Sequence, residues 1–578
     1  MPDQSQTSPS AFVCEGGLVK SRSTFIMQPG QALELLNFEP DIEGGYRRIN
    51  GFRKHCNHIV PQTSASTEKV LMVAFFNDNV LAARGEKIFS SASTELAIAI
   101  TSSATMSGSG TITVDSSSGF SSSGTLQINS ETFTYTGKTS TTFTGVTRAT
   151  GATSAAAHSI NNVVSESWTE RDNGRTNASK YAFERYNFDG NDKLIVVDGV
   201  NDPTIFNTSL TASDVTESSV EGAKFVAAFK NHMFYAGMSS TPQEIVFSEG
   251  LNEDGFSSSA SLPAGSIKVD DTIVGIKAFR SELFVFCENR IFKITGSSGS
   301  GSDVFSVTPV TRNIGCINGD TIQEFAGDLI FLGPDGLRTV AGTARIGDVE
   351  LGTISANVQS IFDDILKDSE LFESIVIPNK TQYRIFFAKD GVAEANTKGV
   401  ICVMKGQSFE FSEVRGIKPA STDTFVEAGN VLVLHGGYDG FIHRQEKGND
   451  FNGTTVSGRY RSPDLTFGDP GIRKHMQRVI VNYKPESAIN ADMFVRYDYE
   501  DRNSSRPAAY PLDSEDVVAI YGTSTYGTPT YGGSSEPLLR QSVEGSGFAV
   551  ALRVNDNATT APYSLKGFQL EYQLGARR

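Results

Sequence analysis

The sequence has few cysteines, and they show none of the spacings that cross-linking or metal binding requires. There are five among 578 residues, which is an odd number, and no two of them form a CxxC pair. A structural zinc site needs closely spaced thiolates, and a disulfide framework needs an even set of them. The pattern therefore argues against both, and it predicts buried free thiols at Cys14, Cys56, Cys287, Cys316 and Cys402.

Motifs for catalysis are missing as well. The seven histidines are dispersed without an HxH or HExxH spacing, and no GxSxG elbow, Walker A loop or Cys/His arrangement occurs. His55 and His58 lack an acidic partner at a telling distance, and "NFDGNDK" (Asn187–Lys193) lacks the bidentate acid of a calcium loop. The repeated SxDxGxTW turn of sialidase propellers is also absent. We therefore predict no enzyme activity, no catalytic residue, no metal site and no cofactor.

Long hydrophobic runs and positive charge are scarce. No run approaches the 18 apolar residues that predict a membrane span, and the polar start "MPDQSQTSPS" does not resemble a signal peptide. We therefore expect folding in a cytoplasm. The 66 acidic residues outnumber the 50 lysines and arginines, giving a net charge of −16. This balance argues against wrapping DNA or an anionic membrane, although it leaves a short contact with DNA open.

Glycine, by contrast, is plentiful, with 55 residues, and turn signals recur between short alternating strands. In "KYAFERYNFDGNDKLIVVDG" from Lys180, an Asp-Gly turn at Asp189–Gly190 separates two strands. We predict similar turns at Asn231–His232, Asp335–Gly336 and Asp439–Gly440. From Lys180 onward the units are about 43 to 52 residues apart, and their starts lie near Lys69, Lys180, Ala223, Asp271, Asp320, Glu373 and Thr424.

Four-stranded propeller blades recur at about the same period, 40–50 residues. The sequence therefore predicts an all-β protein with a β-propeller of about seven blades over residues 61–450. A generic string of hairpins in a sandwich is the alternative, and the constant three-strand pattern argues against it. Helix is scarce, and Asn357–Val376 is predicted to be an amphipathic helix packed on the propeller.

Three further segments are predicted around the propeller. Residues 1–60 form an extended segment that leads into it, and residues 452–578 form a separate C-terminal β-sandwich with a Tyr/Gly/Thr loop at Tyr521–Gly533. A Ser/Thr/Gly-rich stretch at 96–168 breaks the period. It is predicted to be a small β module inserted into the first blade, because apolar and polar residues alternate around Ile112, Val114, Leu126, Ile128, Phe133 and Tyr135.

A basic and aromatic strip, "GGYRRINGFRKH" (Gly44–His55), stands out in this acidic chain. It belongs to the longer segment "GGLVKSRSTFIMQPGQALELLNFEPDIEGGYRRINGFRKH" (Gly16–His55). This segment resembles the N-terminal segment of the tail nozzle (tail hub, tail tubular protein B-like) family of short-tailed bacteriophages. The C-terminal "YSLKGFQLEYQLGARR" is similar to the final strand of the same family. The inserted "GTLQINSETFTYTGKTSTTFTGVTRATGATSAAAHS" looks like a small module that recurs in phage virion proteins.

The resemblance implies a structural virion protein of the phage tail, made in the cytoplasm of the host bacterium. Proteins of this family are propeller-based and assemble as homo-oligomers, typically hexameric rings, below the tail adaptor protein. Such a ring forms the distal channel through which viral DNA passes transiently, and a tail fibre or other tail proteins are further expected partners. The family has no catalytic residues to carry over, and the insert is not general to it.

On this reading the basic strip is structural or lies between subunits. Arg47, Arg48 and Arg53 are expected to pair with carboxylates of the propeller or of a neighbouring subunit, and Tyr46 and Phe52 to anchor the strand. These five residues are the predicted assembly contacts. Direct contact with DNA is the alternative.

Two other functions compete with the nozzle. One is a tail adhesin that recognises a host surface glycan through the propeller or the insert, although adhesins are usually trimeric and often carry long β-helical repeats. The other is a sugar-degrading propeller enzyme, which the missing motifs disfavour. Subunit number separates the nozzle from the adhesin.

Overall fold

The computed structural model describes residues 8–577 except 63–68, 179, 297–304, 341–352, 390–396, 407, 428, 487–488, 502 and 514–537. The predicted loop at Tyr521–Gly533 lies outside the described residues. Five short strands come first: β1 (Ser8–Val13), β2 (Glu34–Leu36), β3 (Phe38–Pro40), β4 (Tyr46–Arg48) and β5 (Phe52–Lys54).

The first blade begins with a meander of β6 (Met72–Phe76), β7 (Asn79–Arg84) and β8 (Lys87–Ser91). Asn77 and Asp78 join the first two strands, and both have positive φ angles, 48° and 59°. Such angles match a tight turn to the twist of the strands, and Asn and Asp tolerate them better than most residues.

The insert follows as a seven-stranded sheet between the third and fourth strands of this blade. Its interior is a cluster of its own, with Leu126, Phe133 and Phe143 fully buried. The chain then returns to the blade as β16 (Thr169–Asp172), which pairs with β8. The strands of the insert are β9 (Ser93–Glu95), β10 (Ser107–Thr113), β11 (Gly124–Ile128), β12 (Glu131–Tyr135), β13 (Gly137–Lys138), β14 (Thr142–Thr147) and β15 (Val163–Glu166).

Three four-stranded blades come next, each pairing in chain order. The predicted turn at Asn231–His232 lies one residue earlier, because Lys230 and Asn231 take the positive φ angles and His232 starts a buried strand. The strands are β17 (Ala182–Tyr186), β18 (Lys193–Val197), β19 (Thr204–Phe206), β20 (Ala212–Asp214), β21 (Phe225–Phe229), β22 (His232–Ala236), β23 (Glu244–Phe247), β24 (Gly265–Lys268), β25 (Ile273–Phe279), β26 (Glu282–Cys287), β27 (Ile291–Gly296) and β28 (Phe305–Thr311).

A three-stranded sheet of β29 (Gln323–Phe325), β30 (Asp328–Gly333) and β31 (Gly336–Thr339) takes the next place around the axis. Helix α1 (Gln359–Asp368) follows and buries Phe362 and Ile365. The predicted helix to Val376 is therefore too long: its second half lies in a strand that is largely buried and rich in β-branched residues, which favour strands.

The last two blades complete the propeller. One comprises β32 (Leu371–Ile377), β33 (Gln382–Ala388), β34 (Lys398–Lys405) and β35 (Ser408–Val414), and the other begins with β36 (Pro419–Glu427), β37 (Asn430–Gly437) and β38 (Ile442–Gln445). The N-terminal strand β5 adds to β38 as the fourth strand. The all-β propeller is thus confirmed, with six four-stranded blades and the three-stranded sheet, where the sequence predicted about seven blades.

The C-terminal strands form two sheets over one core, and both sheets include N-terminal strands. One holds β1, β3 and β4; the other holds β2, which joins the C-terminal strands to β35 of the propeller in a continuous nine-stranded sheet. The boundary predicted at residue 452 therefore crosses shared sheets. The C-terminal strands are β39 (Gly458–Arg461), β40 (Ile472–Pro485), β41 (Asn490–Tyr497), β42 (Tyr510–Asp513), β43 (Leu538–Ser542), β44 (Ser546–Gly547), β45 (Val550–Asp556) and β46 (Tyr563–Arg577).

Candidate functional site

The strip of residues 44–55 lies where the propeller meets the C-terminal strands. Its turn requires glycine: Gly45 has a φ of +90°, and a Cβ there would lie 2.5 Å from the carbonyl oxygen of Leu565. Tyr46 is fully buried, and its hydroxyl donates a hydrogen bond to the Gly30 carbonyl at 2.7 Å. The turn and Tyr46 therefore fix the N-terminal segment against the last strand of the chain.

Phe52 anchors the strand that closes the propeller. Its side chain is buried, and its backbone pairs with Gln445 in the last blade. The ring stacks on Phe451 and contacts the rings of His435 and His443 edge-on. The ring centroids of these pairs are 4.9 to 5.3 Å apart.

Arg48 is buried completely in the interior between the propeller and the C-terminal strands. Its Nε lies 3.5 Å from the Asp556 carboxylate, which is also fully buried. Its Nη1 donates to the Ala558 carbonyl at 2.8 Å, and its Nη2 to the Thr560 carbonyl. With no exposed surface, Arg48 and Tyr46 act inside their own chain.

Arg47 and Arg53 retain exposed surface, and both pair with carboxylates of the same chain. Arg47 contacts Glu39 at 3.1 Å and Glu486 at 2.6 Å, and its side chain is 16% exposed. Arg53 makes a two-pronged contact with Asp450 and is 40% exposed. Both arginines thus pair within their own chain. Contact with another subunit stays a prediction, and these two residues have the exposed surface for it.

A buried network of charged side chains surrounds Glu39, and no sequence pattern indicated it. Burial opposes ionisation of Glu39, but Lys380, Arg384 and Arg47 outweigh it and lower its pKa to about 2. Lys380 and Arg384 also pair with Glu446 at the end of the last blade. Ion pairs therefore connect three parts of the chain that are far apart in sequence. Because the partners are so distant, no local sequence pattern indicates the pairing.

The axis of the propeller is narrow, and a cluster of charged side chains closes it. The inner strands of the blades surround a cavity of about 300 Å³. Lys180 Nζ lies 2.8 Å from Asp320 Oδ2 and 2.5 Å from Glu373 Oε2, where this cavity meets a second one of about 210 Å³. Thr422 donates a hydrogen bond to Glu373 at 2.6 Å. Burial, followed by the neighbouring Asp320 carboxylate, raises the pKa of Glu373 to about 7 despite the Lys180 ammonium.

A third cavity, of about 470 Å³, is a polar groove between the insert and the last blade. We call it the insert groove; the charged residues lining it are Arg53, Lys54, Glu95, Arg444 and Lys447. Its other polar side chains are mostly amides, supplied by Asn57, Asn129, Asn161, Asn162 and Asn452.

The five cysteines are buried and unpaired, which confirms the prediction of free thiols. Burial is the main cause that raises the thiol pKa of Cys14, Cys56, Cys287 and Cys316, each to about 12. Among the described residues, no group of three or more His, Cys, Asp or Glu side chains is arranged to hold a metal ion. No helix in the described part of the chain is long and apolar enough to cross a membrane.

The fold defines a β-propeller protein with an inserted β-sheet and two further sheets that N-terminal and C-terminal strands share. No family model matches the sequence, and no curated protein matches it. Solved structures with local similarity include Raptor from Chaetomium thermophilum, with 9% identity, a TM-score of 0.34 and coverage of 70% of this chain and 29% of that one.

Two others are an exo-beta-1,3-galactanase from Phanerochaete chrysosporium and Hsv2 from Kluyvelomyces marxianus. The galactanase is 10% identical with a TM-score of 0.23, and the match covers 78% of this chain and 95% of that one. Hsv2 is 12% identical with a TM-score of 0.24, and the match covers 44% of this chain and 72% of that one. At these scores the similarities carry no argument about function.

Proposed function

We propose that this chain is a structural, non-catalytic subunit of a bacteriophage tail nozzle. In this proposal six copies form a ring on the tail adaptor protein and line the distal channel for DNA ejection. The chain is made in the cytoplasm of the host bacterium and resides in the virion tail, where a tail fibre or other tail proteins contact the ring.

The pairing of the two ends that resemble the nozzle family carries this proposal. Tyr46 pairs with Leu565 and Arg47 with Ser564, and Lys566 Nζ donates a hydrogen bond to the Gly44 carbonyl, 522 positions away in the sequence. Because the two segments form one sheet, the resemblance covers a single folded unit.

The closed propeller axis supports a channel between copies. A cavity of about 300 Å³ blocked by Lys180 and its two carboxylates is far too small for a DNA duplex. A conduit built from this chain therefore requires several copies around a common axis. Heterologous contacts between copies close into a ring when the rotation between them permits it.

The charge of the chain also suits a conduit. A net charge of −16 disfavours the phosphate contacts that release counterions and retain DNA. The arginines of the basic strip are paired with carboxylates or carbonyls of their own chain, which leaves them less available to phosphates. DNA passing such a surface meets few sites that would hold it.

The mass of the full chain in solution tests the proposal. Light scattering is measured on the protein alone and after mixing with the virion's adaptor protein. We expect six times the chain mass of 62.2 kDa, either alone or on the adaptor. A trimer that ignores the adaptor, or a monomer under both conditions, would overturn the hexameric nozzle.

The second candidate is a tail adhesin that recognises a host surface glycan. The observation that favours it is the insert groove, which is open, polar and rich in amide side chains. A trimeric mass together with binding to host cells would select this candidate.

A further inference from the structure

The insert groove has the composition of a ligand site, and it shares only Arg53 with the part of the basic strip that the nozzle proposal leaves to a neighbouring copy. Its volume of about 470 Å³ is within the range of small-ligand pockets, roughly 300–1,000 Å³. One wall comes from the insert and the other from the closing strand β5 and the last blade. A ligand there would contact both units at once.

Positive charge is concentrated in this groove, although the chain as a whole is acidic. Four cationic side chains line it, namely Arg53, Lys54, Arg444 and Lys447, against the single carboxylate of Glu95. The groove therefore has an excess of three positive charges, which falls to two when Asp450, the partner of Arg53, is counted. A groove of this charge attracts anions.

The cations are only partly neutralised by their neighbours. Glu95 is shared, with Lys447 Nζ at 2.9 Å and Arg444 Nη1 at 3.6 Å. The Lys54 ammonium lies over the ring of Phe441, 3.5 Å from its centroid. Lys447 and Arg444 are 40% and 35% exposed, so their donors are accessible from the groove. An anionic group entering it would meet several donors at once.

The amide side chains add groups that recognise hydroxyls. Asn57 is committed to the fold, because its Nδ2 donates to the carbonyls of Gln127 and Val163. Asn161 and Asn452 are exposed, and only their backbone N–H groups donate hydrogen bonds, to the carbonyls of Leu96 and Phe52; their side-chain amides make none within the described part of the chain. Each amide offers two donors and one acceptor, which is the set that a sugar hydroxyl pairs with.

His55 adds no charge at the bottom of the groove. Burial, together with the nearby Arg444 guanidinium, lowers the pKa of His55 to about 3. Its Nε2 lies 3.0 Å from the Ser93 hydroxyl of the insert. The histidine is therefore neutral near pH 7, and it ties the two walls together.

We infer that the insert groove binds an acidic saccharide, a short sugar chain that carries carboxylate or sulfate groups. The cations take the anionic groups and the free amides take the ring hydroxyls. The inference goes beyond the nozzle role and does not rest on it, because the groove is complete within one chain. A DNA duplex is the disfavoured occupant, because the groove has the volume of a few sugar rings and the rest of the chain is acidic.

The test is calorimetric titration of the full-length chain with trigalacturonic acid and with a sulfated heparin tetrasaccharide. Maltotriose serves as the neutral probe and a short DNA duplex as the competing polyanion. We expect at least one acidic saccharide to bind, with an affinity that falls as ionic strength rises and with weaker binding of maltotriose and DNA.

Paired variants locate the site. R444Q/K447Q removes two groove cations and is expected to weaken saccharide binding at least about tenfold. K268Q/R290Q removes one lysine and one arginine from other blades, each also paired with an acid, and is expected to leave binding unchanged. Thermal melting of both variants controls for folding.

Three results would overturn the inference: no binding of either acidic saccharide, equal binding by wild type and R444Q/K447Q, or a preference for maltotriose or DNA. Because titration reads a single chain and light scattering reads subunit number, failure here is distinct from failure of the nozzle.

Discussion

At the scale of single residues, buried charge joins the N-terminal segment to the C-terminal strands. Arg48 and Asp556 are both without exposed surface, and burial raises the pKa of Asp556 even though Arg48 opposes the shift. Removing one partner of such a pair leaves the other as an uncompensated buried charge, which costs more than the pair itself contributes.

We therefore expect R48M to lower the free energy of unfolding by about 3–5 kcal/mol. R53M, which breaks a partly exposed pair with Asp450, is the matched control and should cost at most about 1 kcal/mol. Urea denaturation of both variants is the measurement. Equal losses for the two variants would contradict the account of Arg48. The double variant R48M/D556N should recover part of the unfolding free energy that R48M loses.

Glu373 at the propeller axis predicts a specific dependence of stability on pH. Its pKa is about 7 when folded, above its ordinary value of 4.5. Between these values the unfolded state binds fewer protons at this site than the folded state, so this group's contribution to stability falls as pH rises from about 4.5 to 7.

E373Q removes this titration, since glutamine is neutral at every pH. The difference in melting temperature between pH 5 and pH 8 should therefore be smaller for E373Q than for wild type. T422V removes a hydroxyl that donates a hydrogen bond to Glu373. This variant should keep or enlarge the difference in melting temperature between pH 5 and pH 8. An E373Q profile parallel to that of wild type would contradict the raised pKa.

At the scale of elements, β5 closes the propeller by adding an N-terminal strand to the last blade. Phe52 is the buried centre of this closure, packed on Phe451 and two histidine rings. We expect F52A to cost about 3–5 kcal/mol, the range for removing a buried phenylalanine ring. F25A removes a ring that is 72% exposed and should change stability by at most about 0.5 kcal/mol. Chemical denaturation compares the two, and a small loss for F52A would argue against closure through β5.

We expect the rest of the chain to fold without the insert, because the insert has a hydrophobic core of its own. Glu95 pairs with Val163 where the module begins and ends, so a two-residue Asn-Gly turn can replace residues 96–162 and close the hairpin. We expect the shortened chain to melt within a few degrees of the full chain and to bind acidic saccharides more weakly, because the deletion removes Asn129, Asn161 and Asn162 and leaves the four cations in place. Calorimetry measures both. An insoluble or unfolded product would show that the insert supports the first blade.

Local patterns predicted the elements that local interactions determine. The turn residues and alternating strands of units such as Lys180–Val197 were sufficient to predict propeller blades, because each hairpin is formed by neighbours in sequence. The pairing of β5 with β38 and of β2 with β39 joins strands about 400 residues apart, and no local pattern encodes it. The partners Glu486 and Asp556 of the basic strip were unpredictable for the same reason, although the arginines themselves were recognised.

At the scale of the whole molecule, the proposed channel must lie between copies of the chain. The axis of each propeller is blocked by Lys180, Asp320 and Glu373, so the described residues leave DNA no path along that axis. The free surface of Arg47 and Arg53 is the part of the basic strip available to a neighbouring copy. The charge of −16 per chain is expected to be shared by the lumen wall, where it would keep DNA mobile.

The measurement that tests this account most directly is an electron microscopy reconstruction of the full chain bound to the adaptor protein. The account predicts a sixfold ring with an open lumen between the copies, in which every propeller axis remains closed at Lys180. A threefold assembly without a lumen, or a ring in which DNA passes through the propeller axis, would contradict it.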